Sequence, residues 1–255
     1  MLSKSKIKNI NQLHQKKFRN EFKLFIAEGP KVVEEFLHAD IKITEIYGLE
    51  NWIDGNTALL NEKKCIYEKV NEAELARISV LQAPNEVLAV CKQPSFSEKN
   101  IDAKADLFLY LDGIADPGNM GTIIRMAEWF GLTQLFMANE SAEVFNPKVV
   151  QSSMGSLARV KSFYLPLKDL IKLSEKAEVW GAELSGENIY TLPLPAKCIL
   201  VIGSESHGIT SASRKLLSKS ISVPVAKTAK TESLNAATAT SIILSELFRK
   251  ANFSK

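Results

Sequence analysis

Apolar and polar positions alternate along this chain in short blocks whose period switches repeatedly between two and about 3.6 residues, the signature of mixed strands and helices. In the first part, residues 24–27, 41–47, 65–67 and 86–91 read as strands. Pro30 opens a helix at a favourable first position, with Val32, Val33, Phe36 and Leu37 on its inner face. Asn71 and Glu74 form the start of a second helix in capping-box spacing. Residues 93–102 carry Pro94, Ser95, Ser97 and mixed charges without periodicity, so they read as a linker. Beyond them strands are expected at 107–111, 135–138, 179–183, 199–202 and 221–225, with helices between, the last running from Ser233 to Lys250. This alternation predicts an α/β chain in which a parallel sheet covered by helices (residues 103–255) follows a small α/β domain (residues 1–92).

The densest chemistry lies in residues 107–131, LFLYLDGIADPGNMGTIIRMAEWFG. A buried strand is followed by Asp112, Gly113, Asp116, Pro117, Gly118 and Asn119, a run that makes turns and leaves room for a ligand beside the backbone. A helix follows, with Asn119 as its expected N-cap and Met120, Ile123, Ile124, Ala127 and Phe130 on one face. Arg125 shares another face with Gly121 and Glu128, and two readings stand evenly: an anion-binding fork beside a helix N-terminus, or a surface pair with Glu128. The glycine spacing matches neither the dinucleotide fingerprint nor the P-loop. Downstream, Gly203 ends a strand and Glu205 follows in a polar loop; taken alone, such a glutamate is a solvated or capping residue. Ser233 is the expected N-cap of the last helix, Asn235 lies in its first turn, and a run of small residues follows. Residues 151–157, QSSMGSL, are small and polar enough to line an RNA or phosphate surface, but a helix end with a tight turn is the favoured reading.

The composition narrows the setting. With 255 residues, 45% hydrophobic and 24% charged, the chain has the make-up of a water-soluble globular protein, and no run approaches the ~18 apolar residues of a membrane span. Cys65, Cys91 and Cys198 are scattered, as are the three histidines, so neither zinc nor a disulfide framework is indicated and a reducing compartment, the cytoplasm, is expected. The net charge of +3 conceals an asymmetry: Lys4, Lys6, Lys8, Lys16, Lys17, Arg19 and Lys23 face only Glu21 within residues 1–24. Interleaved with Phe18 and Phe22, these cations point to RNA contact, with Lys16, Lys17, Arg19 and Lys23 as its core, over a merely solvated basic helix.

Three ordered blocks carry a resemblance. DPGNMGTIIR (116–125), IGSESHGI (202–209) and ESLNAATA (232–239) resemble the three signatures of the SpoU, or TrmH-type, RNA 2'-O-ribose methyltransferases of the SPOUT superfamily. Residues 18–37, with FIAEGPKVVEEFL inside, also resemble the substrate-binding domain, similar to ribosomal protein L30e, that precedes the catalytic domain in many members. The resemblance implies a trefoil-knotted α/β catalytic domain, homodimers, S-adenosylmethionine as cofactor and RNA as substrate, ribosomal rather than transfer RNA given the extra domain. It implies cofactor contacts at Gly203, Val223 and Leu234, and polar catalytic or RNA-placing roles for Asn119, Arg125, Glu205, Ser233 and Asn235. One departure is visible: Val225 and Ala226 follow Pro224 where the family has methionine and a glycine-containing loop, and the stretch to Ser233 is about two residues longer. A fold-retaining RNA-binding or assembly protein is the alternative in a different class. Because a neutral guanidine at neutral pH costs roughly 7 kcal/mol, Arg125 is read as a cation that clamps a phosphate and opposes the developing alkoxide, not as the base.

Overall fold

A computed structural model describes residues 1–81 and 83–253. In chain order the elements are α1 Lys4–Gln12, α2 Lys16–Phe22, β1 Leu24–Glu28, α3 Pro30–His38, β2 Ile43–Gly48, α4 Glu50–Glu62, β3 Tyr67–Lys69, α5 Glu72–Ala76 and β4 Val87–Lys92. Then follow β5 Leu107–Asp112, α6 Pro117–Trp129, β6 Gln134–Met137, α7 Pro147–Ser153, β7 Lys161–Tyr164, α8 Leu167–Leu173, β8 Glu178–Asn188, β9 Cys198–Gly203, α9 Ser211–Arg214, β10 Lys219–Ser222 and α10 Ala236–Phe253. Two compact units result: Met1–Ser95 with Glu143–Arg159, and Phe96–Ala142 with Val160–Lys255.

The first unit holds a four-stranded sheet in the order β1-β4-β2-β3, antiparallel except for β2 with β3. α3 buries the four apolar residues expected of it, and Asn71 with Glu74 closes the anticipated capping box. α4 has no counterpart in the sequence reading, because Asp54, Gly55 and Asn56 interrupt a face on which only Trp52, Ile53 and Leu60 are buried. Residues 143–159 lie late in the chain yet pack within this unit. Phe145 meets Phe25 at 4.8 Å, and Arg159 pairs with Glu35 at 2.8 Å. Gly155 sits at φ 94° over Glu35, where an added Cβ would come within 2.5 Å of the glutamate Cβ.

Arg19 corrects one expectation. It is only 2% exposed, its Nε donates to Glu143 Oε1 at 3.1 Å and its Nη2 to Glu143 Oε2, and Nη1 donates to the carbonyls of Leu13 and His14 at 2.9 Å. A guanidinium with its donors so engaged is a staple inside the first unit and not a phosphate ligand. Lys16, Lys17 and Lys23 remain exposed.

The second unit is a six-stranded, wholly parallel sheet in the order β10-β8-β9-β5-β6-β7. β5 and β9 at its centre are buried nearly end to end, as parallel strands covered on both faces must be. From β5 the chain winds outward through α6 to β6 and β7 and returns through β8 and β9 on the other side. The carboxyl ends of β5 and β9 therefore flank a topological switch point. α10 packs along α6, with Phe130 and Phe248 5.7 Å apart. Its far end is anchored by Lys250, which donates to the Ile189 and Leu192 carbonyls at 2.6 Å; within the helix, Arg249 and Lys250 pair with Glu246 and hold its carboxyl down to about 2.

Several boundaries shift for local reasons. Asp116, not Asn119, caps α6, accepting from the Asn119 amide at 2.8 Å with Pro117 at the first helical position. Asn235, not Ser233, caps α10, its Oδ1 accepting from Ala237 N at 3.0 Å and Thr238 N at 3.2 Å. β10 ends before Pro224, which has no N–H to donate to a ladder, and β8 runs to Asn188, beyond the expected 179–183.

The buried pair yields a prediction. Arg19→Ala leaves the Glu143 carboxylate buried without its cation, so the urea-unfolding free energy should fall by about 3–5 kcal/mol, with Arg19→Lys unable to restore the two-pronged contact. A loss under about 1 kcal/mol would show that the pair does not hold this unit together.

Candidate active site

The switch point brings the three blocks together on one side chain. Asn119, on the first turn of α6, donates from Nδ2 to Glu205 Oε1 and accepts at Oδ1 from Asn235 Nδ2 at 2.9 Å. Asn235 in turn spends its own Oδ1 on the first amides of α10. Each amide thus has one admissible orientation, since flipping Asn119 would set its oxygen against the Glu205 carboxylate and its NH2 against another NH2. Glu205 and Asn235 are exposed and Asn119 is half-buried between them, so the chain of bonds faces solvent at the sheet's carboxyl edge.

Contacts at the ends of the two central strands hold these groups in place. Gly203 ends β9 in register with Asp112 at the end of β5. An added Cβ on Gly203 would lie 2.1 Å from the carbonyl carbon of Gly208 and 2.3 Å from Ile209 N, so only glycine lets the following loop fold back this tightly. Ser204 and Gly208 exchange backbone hydrogen bonds of 3.1 and 2.9 Å, and Ser204 Oγ accepts from His207 N at 3.2 Å. Asp112, 3% exposed, accepts from Thr210 N at 2.7 Å and so fastens the loop's exit to β5. Glu205 projects from a loop pinned at both ends. Asp112 and Thr210 were not singled out by sequence; the available signal was a carboxylate directly after an apolar strand, which composition reads only as a turn.

Arg125 is exposed on α6, one turn beyond the buried Gly121. Ser233 lies in the exposed stretch before α10, where its carbonyl accepts from Thr231 Oγ1 at 3.1 Å; its side chain caps nothing. Of the residues expected to meet cofactor, Gly203 and Val223 are half-buried just at or after β9 and β10, and Leu234 is 43% exposed ahead of α10. The intervening loop turns at Ala226–Ala229 through a 2.9 Å bond and carries Val225 at 69% exposure. Among the described residues no cluster of His, Cys, Asp and Glu could hold a metal ion, and no helix is long and apolar enough to cross a membrane.

A parallel α/β sheet with a glycine-ended strand and a polar hydrogen-bonded chain at its switch point defines an α/β protein with a ligand-binding edge there. The chain belongs to the SpoU rRNA methylase family, whose profile matches residues 106–245, and residues 4–89 match the profile of the MRM3-like substrate binding domain. It is 28% identical over 253 residues, 95% of each chain, to a 23S rRNA (guanosine(2553)-2'-O)-methyltransferase of Bacillus subtilis. Among solved structures, a TrmH-family protein of Porphyromonas gingivalis superposes with a TM-score of 0.84 at 35% identity, covering 98% of this chain and 99% of its own. The AdoMet-bound rRNA methyltransferase of Sinorhizobium meliloti gives a TM-score of 0.84 at 26% identity, covering 99% and 98%.

The tight turn after β9 can be tested directly. Gly203→Ala should cost about 1–3 kcal/mol in urea unfolding, as overpacking against backbone does, and should speed amide exchange at Ser204 and Gly208. Unchanged stability and unchanged exchange would show that the loop does not depend on this close approach.

Proposed function

We propose that this protein transfers the methyl group of S-adenosylmethionine to the 2'-hydroxyl of a ribose in ribosomal RNA. The observation that carries the reading is the Glu205–Asn119–Asn235 chain of hydrogen bonds, which unites one polar residue from each signature block at the switch point. Family membership and the rRNA methyltransferases among its relatives support the chemistry and favour ribosomal over transfer RNA. The matched amino-terminal substrate-binding domain supports a large folded substrate.

The residues present fit the cofactor. Gly203, Val223 and Leu234 offer main-chain groups at strand and helix ends, and the exposed side chains of Val225 and Leu234 offer apolar surface to an adenine ring. S-adenosylmethionine, when bound, supplies an electrophilic sulfonium methyl. Asn119 has one N–H and one lone pair left beyond its two bonds, so a locked amide is available to orient the ribose hydroxyl. In-line orientation of this kind contributes ~7 to 11 kcal/mol in well-aligned systems. Arg125 presents a planar fork to the adjacent phosphate and opposes the negative charge growing on the 2'-oxygen, while the proton leaves as the new bond forms. Ser233, beside the same helix start, contributes to placing RNA or cofactor. Lys16, Lys17 and Lys23 bind RNA phosphates from the first unit.

The protein acts as a homodimer in the cytoplasm. The dimer is what the resemblance to the SpoU family implies.

Transfer of labelled methyl from S-adenosylmethionine to total RNA from cells lacking the gene, mapped by mass spectrometry, tests the reading. One labelled ribose is expected, lost with Arg125→Ala; near-total loss with Arg125→Lys as well would show that fork geometry matters beyond charge. Asn119→Asp, which sets a carboxylate against Glu205, should lower the rate about 10²-fold or more, with partial recovery when combined with Glu205→Gln. If calorimetry finds no binding of S-adenosylmethionine, and neither naked RNA nor assembling ribosomal particles take label, the enzyme reading fails.

A further inference from the structure

α2, KKFRNEF, turns Arg19 inward and leaves an aromatic pair on its outer side. The rings of Phe18 and Phe22 stack at 5.9 Å with 20° between planes, and Lys17 Nζ lies 5.6 Å from the Phe18 centroid. Phe18 is half-buried, whereas Phe22 is 43% exposed and presents its outer face to solvent. An i,i+4 phenylalanine pair steadies a helix by only ~0.2–0.5 kcal/mol, a small return for exposing a ring. The surroundings are cationic: Lys16, Lys17 and Lys23 are exposed, and among the described residues none of the three is in a salt bridge. Lys23 stands in the left-handed region, at φ 55°, directly after Phe22.

We propose that Phe22, backed by Phe18, is a stacking platform for one unpaired base of the RNA, with Lys16, Lys17 and Lys23 on the flanking phosphates. The inference rests on the RNA reading above and adds to it the class of nucleotide this surface takes: a single-stranded one, held by its π face. A preformed aromatic pair with a cationic rim accepts any base and favours purines, which offer the larger face. A protein partner on the same patch would need no such rim.

The test is fluorescence anisotropy of the full chain with labelled oligoadenosine and oligouridine dodecamers across a salt series. Phe22→Leu keeps an apolar side chain on the helix and removes the π face; it should weaken oligoadenosine binding about 10- to 100-fold, with the salt slope and the thermal midpoint unchanged. Phe22→Trp should bind at least as tightly as the parent. Lys16→Ala with Lys17→Ala should reduce the salt slope by about 1.4. Full affinity in Phe22→Leu overturns the platform; a reduced slope in the lysine variant would then leave the RNA contact standing. Dodecamer binding that responds to neither change, or no binding at all, overturns the platform and removes this surface from the RNA reading. Methyl transfer by the second unit is read separately.

Discussion

The site depends on the way one amide can be satisfied. Asn119 stands between a carboxylate, which only accepts, and an amide nitrogen, which only donates, so its own NH2 and C=O are assigned without ambiguity. That assignment joins chain segments 86 and 116 residues apart along the sequence. It works because the parallel sheet delivers the segments together: α6 leaves β5, the Glu205 loop leaves β9, and α10 returns across α6. The amide chain records the topology in two hydrogen bonds, and the cap that Asn235 places on α10 adds two more.

Exposed hydrogen bonds of this kind contribute only ~0.5–1.5 kcal/mol each, since water competes for every group. They do not hold the site; the site holds them. The pins are the buried Asp112 carboxylate on Thr210 N, the contact of half-buried Gly203 with the backbone of Gly208, and the Asp116 cap on α6. Such a division suits a group-transfer centre. The polar face remains open to solvent, yet its geometry is fixed by the protein's own contacts, and preorganised dipoles need little rearrangement during reaction.

Much of this was legible along the chain. The strands at 107–111 and 199–202, the helix opened by Pro30, the capping box at Asn71 and the tight end of residues 151–157 all follow from local periodicity and turn chemistry, and appear within a residue or two of where they were expected. The family likewise followed from three short blocks in order. What was not legible is what depends on distant partners. The sequence offers Asn119 and Ser233 as reasonable caps, and only the fold shows that Asp116 and Asn235 take those positions, freeing Asn119 to bridge. Arg19 looks like its neighbouring lysines until Glu143, far along the chain, is seen beside it. The packing of residues 143–159 within the first unit leaves no trace in spacing, because the stretch's own alternation is that of any βα segment.

The loop after Pro224 shows how departure from a family pattern can be absorbed. Its residues lie outside the relay: β10 ends at Ser222, α10 begins at Ala236, and Asn235 is held by the helix it caps as well as by Asn119. The intervening turn carries the exposed apolar side chains of Val225 and Leu234. The opposite, carboxyl end of α10 is held by Lys250 on the carbonyls of residues 189 and 192 and by Phe248 against Phe130, contacts that do not involve the loop. The loop after Pro224 therefore contributes no bond to the amide chain, whose members Asn119, Glu205 and Asn235 are held by one another and by the start of α10.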